Sequence, residues 1–179
     1  DLKLNIDGDG KSAVNTSLPF LDHMMDLFAK HSGMDLTVKA SGDTHIDDHH
    51  LVEDIGIAFG LALEKALGDK RKIYRYGNFL LPMDESLAYI AVDLGGRPYF
   101  EYKVPFKPQS KAPFCFELFE DFFQALAFNA KMNLHVRLVQ GRNNHHIAEA
   151  MFKGFAKALA QAVSKDSRQK GIPSTKGKL

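Results

Sequence analysis

Two short stretches of the chain carry the same chemistry-bearing residues at the same spacing: His49-His50-Leu51-Val52-Glu53 and His145-His146-Ile147-Ala148-Glu149. On a helix, positions three and four apart share a face, so each histidine pair sits near its own glutamate. Imidazole nitrogen with carboxylate oxygen suits Mn, Fe or Zn, and a small ligand set leaves coordination positions open. Adjacent histidines on a helix diverge by about 100°, so a pair need not chelate one ion. One histidine can serve each of two metals, or serve a neighbouring subunit. A single motif of this kind is more often a chance surface pairing or a cap. Two copies in a repeated unit argue for metal binding, because packing alone has no reason to demand the pair twice.

The repeat extends on both sides. Behind each motif, at an offset of 96, Phe59, Leu63 and Ala66 recur as Phe155, Leu159 and Ala162. Upstream the offset is 98: Met34–Lys39 pairs with Met132–Arg137, and Leu21-Asp22-His23 with Phe119-Glu120-Asp121. The two-residue gap falls in a polar loop, where length changes are tolerated. The equivalence adds His23 to the candidate ligands, with Asp121 as a hard oxygen donor in the same role. His135 faces Thr37 in the repeat, so symmetry does not support it as a ligand; a satisfied or supporting histidine is the reading there. His45 lies in the polar loop and is read as solvated. Asp48 and Asn144, just ahead of each pair, are placed to cap the helices or orient ligands.

These residues need elements to hold them. Leu2, Leu4 and Ile6 alternate as a strand that the chain enters midway, so residues upstream are expected, and Asp7–Gly10 turns. Phe20, Met24, Leu27, Phe28 and His31 follow helical spacing over Leu18–His31, which Ser32-Gly33 stops. Met34–Ala40 alternates as a strand. Gly42–Asp48 is the polar loop, and a helix runs from His49 to Gly68. Ala88–Asp93 is read as a strand opening the second half, Lys107–Pro113 as a loop and Ser164–Leu179 as a polar, basic tail. Strands and helices recur in each half, which predicts a two-layer α+β unit. The halves are taken as residues 1–84 and 85–179 of one compact unit.

Arg75, Arg97, Lys153 and the tail Ser174-Thr175-Lys176-Gly177-Lys178 supply positive charge and hydroxyl donors. An arginine beside glycine, as in Gly95-Gly96-Arg97, presents a rigid guanidinium to phosphate. Each is individually a surface charge first. No nucleotide-binding glycine loop is present, so a small phosphorylated metabolite is the better expectation.

Composition excludes several classes. The 179 residues are 45% hydrophobic with 14 Phe, ample for a packed interior. Formal charge is +1, so no overall field draws the chain to nucleic acid or anionic membrane. No apolar run approaches the roughly 18 residues of a membrane span. The single cysteine, Cys115, rules out an internal disulfide framework and a Cys-based zinc site. A cytoplasmic globular protein is expected.

Four motifs in order carry a resemblance: Phe20-Leu21-Asp22-His23-Met24, Asp47–Asp54, Asn143–Glu149 and Pro173-Ser174-Thr175-Lys176-Gly177. From about Leu2 to the C-terminus the chain resembles the imidazoleglycerol-phosphate dehydratases. The resemblance implies loss of water from imidazole glycerol phosphate to give imidazole acetol phosphate in histidine biosynthesis. It implies two Mn²⁺ ions per active site and a 24-subunit homo-oligomer with sites between subunits. The implied fold is a duplicated half of four strands and two helices, with the helices packed between the two sheets. The metal ligands carried over are His23, His49, His50, Glu53, His145, His146 and Glu149. Asp121 stands at the eighth position, where many members have histidine. The substrate pocket falls on His31, Arg75, Arg97, Lys153, Ser174 and Lys176. Leu27 replaces a glutamine that helps hold the phosphate in many members. The family's proposed acid/base glutamate, in an Arg-x-Thr-x-Glu-Thr stretch, lies ahead of Asp1.

The chemistry explains such a site. The C–H to be broken adjoins an imidazole, not a carbonyl, so no ordinary enolate takes up the charge. Two cations on the ring nitrogens would stabilise an imidazolate able to expel the hydroxyl. Three other readings use the same residues. A dinuclear phosphoester hydrolase would make hydroxide on the metals, and a non-catalytic protein would use metals to cement an oligomer. A nucleic-acid module has the least support, given the charge.

Overall fold

Alternating and helically spaced apolar residues settle into eleven elements in a computed structural model, which describes residues 1–108, 114–177 and 179. In chain order these are β1 (Leu2–Asn5), β2 (Ser12–Asn15), α1 (Pro19–Ser32), β3 (Asp35–Lys39), α2 (His49–Leu67), β4 (Tyr76–Met83), β5 (Ser86–Asp93), β6 (Tyr99–Lys103), α3 (Leu118–Asn129), β7 (Asn133–Gln140) and α4 (Asn144–Val163). Most of the loop anticipated at 107–113, and Lys178 of the tail, lie outside the described residues.

The first sheet has the order β1-β3-β2, with β1 antiparallel and β2 parallel to β3. The second has the order β4-β5-β7-β6, with β5 antiparallel and β6 parallel to β7. The pattern β1-β3-β2 thus recurs as β5-β7-β6, and the duplication read from sequence is present in the strand pairing. Among the described residues the first sheet has three strands, where four were expected, because β4 has no counterpart there.

β4 also opens the second sheet ahead of the expected Ala88–Asp93. It pairs with β5 from Tyr76↔Asp93 to Met83↔Ser86, so the 84/85 division falls in the turn of one hairpin. Alternation does not reveal β4, because Phe79 and Leu80 are neighbours and both are exposed. Pro82 is tolerated because β4 is an edge strand.

The four helices lie between the sheets. α1 rests on β2 and β3, α2 on β1, α3 on β6, and α4 on β4 and β5. Across the middle, α1 packs on α4 and α2 on α3, so each contact joins the two halves. Phenylalanine makes this layer. Phe28 of α1 meets Phe59 of α2 edge-on at 4.9 Å and Phe155 of α4 at 5.6 Å. Phe122 and Phe123 of α3 close on Phe152 at 5.7 and 5.0 Å. All six rings are essentially inaccessible to water, and such burial stabilises by about 2–3 kcal/mol per ring.

Local chemistry sets the helix starts. Thr16 donates from its backbone N and Oγ1 to Asp22 Oδ1 (2.8 and 2.5 Å), and Pro19 occupies the first turn of α1. Gly33, at φ 77°, ends α1 with its N–H on Ala29 O. Asn143 Oδ1 accepts from the His145 N–H at 2.9 Å, and Asp47 Oδ1 from the His49 N–H at 2.9 Å. The capping roles considered for Asn144 and Asp48 therefore belong to the residues before them. Asn144 is buried and clamps the Lys107 backbone instead, accepting from its N–H (3.1 Å) and donating to its carbonyl (2.8 Å).

Backbones approach closely at two seams. A Cβ at Gly56 or Gly60 of α2 would lie 2.6 Å from the Phe122 or Leu126 carbonyl of α3. A Cβ at Gly77 of β4 would lie 1.9 Å from the Ala158 carbonyl of α4. Neither partner is a flexible side chain, so the sheet must separate from the helix. We expect Gly77→Ala to cost about 3 kcal/mol or more, and Gly171→Ala, with open space around it, to stay within about 0.5 kcal/mol, both read by urea unfolding.

Candidate metal centre

The α1–α4 contact places His23, His145 and Glu149 together. Glu149 lies one helical turn after His145, so its Oε1 comes 2.8 Å from His145 Nε2. From the crossing helix, His23 Nε2 approaches the same oxygen at 3.3 Å. One donor atom from each of the three lies within 4.8 Å of the others. Two imidazoles and a carboxylate at this spacing fit a borderline divalent cation. Lys153, a further turn along α4, donates its Nζ to Glu149 Oε2. Phe20 packs edge-on against His145 at 5.2 Å and walls one side of the cluster.

The α2–α3 contact brings the equivalent residues together, with the two carboxylates on opposite nitrogens of one imidazole and not around a single point. His49 Nε2 lies 3.9 Å from Glu53 Oε2, and His49 Nδ1 lies 3.6 Å from Asp121 Oδ2. The copy is looser and wetter, the Glu53 side chain being 48% exposed against 10% for Glu149.

The second histidine of each pair points elsewhere, as helical divergence requires. Ring centroids of His49 and His50 are 6.2 Å apart at 80°, and those of His145 and His146 are 6.2 Å apart at 85°. His50 Nδ1 sits 3.0 Å from Asp43 Oδ2, and His146 Nδ1 sits 2.7 Å from Glu85 Oε2. Within one chain six of the eight anticipated ligands therefore meet at the two helix crossings, His23, His145 and Glu149 at one and His49, Glu53 and Asp121 at the other, while His50 and His146 are directed away from them to other carboxylates. His135 is on the outer face of the second sheet beside Tyr99, at 5.4 Å between rings, and His45 is exposed.

Electrostatics follow the contacts. Burial pushes the Glu149 carboxyl up, but the Lys153 hydrogen bond, followed by those of His145 and His23, outweighs it and holds the value at about 2. His31, on the last turn of α1, is lowered by burial and then by the charges of Lys153 and Lys157. Glu85 raises His146, and Asp43 raises His50, each through its hydrogen bond.

The anticipated substrate residues divide within the chain. His31 and Lys153 belong to the Glu149 cluster. Arg75, Arg97, Ser174 and Lys176 line a separate open cleft of about 960 Å³. There Asp93 grips Arg75 through Nε (2.7 Å) and Nη2 (3.1 Å), while Nη1 donates to the Pro173 carbonyl (3.0 Å). Arg75 is thereby fixed and kept charged, its pKa raised by Asp93.

Residues 16–159 match the family model described as imidazoleglycerol-phosphate dehydratase. The chain belongs to that family. A dehydratase of Endomicrobium trichonymphae is 56% identical over 178 residues, covering 99% of this chain and 91% of its relative. The Desulforamulus reducens dehydratase is 57% identical, over 97% and 89%. The dehydratase crystal structure from Staphylococcus aureus matches with a TM-score of 0.85 at 41% identity, covering 92% of this chain and 94% of that one. That from Pyrococcus furiosus, in complex with (S)-C348, matches at 0.82 and 35%, covering 100% and 96%. The chain is thus a hydro-lyase that dehydrates imidazole glycerol phosphate in histidine biosynthesis, a metal-dependent activity. This sets aside the hydrolase, cemented-oligomer and nucleic-acid readings.

Sequence reasoning did not find Glu85, Asp43 or the Asn144 clamp. Their partners are 61, 7 and 37 positions away, and only Asp43 lay close enough to His50 in the chain to suggest itself.

Glu149 has a depressed carboxyl pKa, so its contribution to stability is complete above the ordinary 4.5 and is lost as pH falls toward about 2. In metal-free protein, Glu149→Gln should be less stable than wild type at neutral pH. The gap should close as pH falls through that window, followed by urea unfolding.

Proposed function

We propose that the dehydration runs at a site holding two Mn²⁺ ions, built from residues of more than one copy of the chain. His23, His145 and Glu149 would hold one ion, and His49, Glu53 and Asp121 the other. His50 and His146 would complete the donor sets on neighbouring copies, in a homo-oligomer of 24 subunits in the cytoplasm. The observation that carries this is the His23, His145 and Glu149 cluster, with the equivalent His49, Glu53 and Asp121 at the other helix crossing, beside a second histidine of each pair that its own chain leaves out.

Held by these residues, the metals would supply Lewis acidity that lowers the cost of negative charge on the substrate's imidazole. The protein's own groups do the rest. Lys153 engages Glu149 Oε2 and leaves Oε1 facing the two imidazoles. Arg75, oriented by Asp93, joins Arg97, Ser174 and Lys176 in binding the phosphate. Binding energy at the phosphate holds the reacting carbon in register with the cluster of another copy. Phe20 and the adjoining Phe114, Phe116 and Phe119 keep bulk water off one side of His145.

Metal-stripped protein should not turn over imidazole glycerol phosphate, and Mn²⁺ should restore turnover. Full activity without any metal, or none in a Mn²⁺-loaded assembly, would contradict the proposal.

A further inference from the structure

We propose that Glu85 and Asp43 are positioning residues that fix the ring direction and tautomer of His146 and His50, so that each presents an unprotonated Nε2 away from its own cluster. This rests on the metal reading above and adds to it the groups that ready these two ligands.

The two histidines occupy equivalent repeat positions, and each is met at the same ring nitrogen, Nδ1, by a carboxylate. The carboxylates come from unrelated places. Asp43 lies in the loop between β3 and α2, whereas Glu85 lies in the turn between β4 and β5. Duplication of one ancestral contact therefore does not account for the match. A carboxylate at Nδ1 can only accept, which keeps the proton on Nδ1 and the lone pair on Nε2, the atom left to bind a metal.

Glu85 is the more firmly built of the two. Its Oε1 accepts from the N–H groups of Arg142 (3.1 Å) and Asn143 (2.8 Å) and from Ser86 Oγ (3.3 Å). Its Oε2 is thereby aimed at His146 at 2.7 Å. The same carboxylate fixes both the loop that starts α4 and the ring that α4 carries. Asp84, 3.6 Å from His146 Nε2 and largely in solvent, makes no hydrogen bond to it.

A purely structural Glu85 would only tie down residues 142 and 143. Glu85→Gln separates the roles. Its amide oxygen still accepts from both backbone N–H groups, while its NH₂ faces Nδ1 and drives the proton to Nε2. Nitrogen NMR of the metal-free protein at a pH of about 9, above the usual imidazole range, should show His146 protonated on Nδ1 in wild type and on Nε2 in the variant. Mn²⁺ titration should show one class of site weakened by about 10–100-fold, with the metal-free melting temperature little changed. Asp43→Asn, in an exposed loop, should do the same to His50 and stands as the second test where Glu85→Gln does not fold. An unchanged tautomer together with wild-type Mn²⁺ affinity in the variants would overturn the proposal. Tautomers that switch as stated, in a wild-type protein that binds no Mn²⁺, would uphold the positioning and sink the metal reading instead.

Discussion

Everything at the centre depends on Glu149 being reached from two helices that belong to different halves of the chain. His145 comes to it along α4, and His23 comes across from α1. A carboxylate this buried is costly without compensation, and the two imidazoles and Lys153 together supply it. The α1–α4 contact is in turn fixed by Phe28 against Phe155. A loss of packing there would move His23 relative to Glu149 before it touched the chemistry. Core and site are one structure in this protein: the layer that buries the phenylalanines is the layer that assembles the donors.

Duplication places equivalent residues at both helix crossings and also lets them diverge. The repeat position of Lys153 is Ile57, and that of His23 is Asp121. One cluster sets an ammonium against its glutamate; the other has two carboxylates around His49 and no cation of that kind. With neutral histidines, the first is close to balanced and the second carries an excess of negative charge. Coulomb attraction favours a divalent cation more at the second, while the first holds its carboxylate in a drier and better-defined position.

Much of this was readable from residue types. The helices around both histidine pairs appear where the three-to-four spacing placed them, because they carry apolar stripes facing a shared layer. The repeat offset alone singled out His23 and Asp121 as equivalent positions, though it did not show that each meets the histidine motif of the opposite half. Other features were hidden for definable reasons. β4 is an edge strand whose successive residues Phe79 and Leu80 are both apolar and both exposed on opposite faces, so period-two alternation does not mark it. The short edge strand β2 has too few residues to show a pattern. Glu85 carries no local signal, since its partners are reached through a hairpin and a loop. The separation of His31 and Lys153 from Arg75, Arg97, Ser174 and Lys176 is a matter of three-dimensional placement that no linear motif records.

The central claim is that metals sit at the two helix crossings and draw His50 and His146 of neighbouring copies. Crystals of the Mn²⁺-loaded protein, measured on either side of the manganese absorption edge, test it directly. The account predicts two anomalous peaks per chain, one against Glu149, His145 and His23 and the other against Glu53, His49 and Asp121, each also touched by His50 or His146 of another copy. Peaks elsewhere, or a Glu149 cluster that stays empty in an active protein, would contradict it.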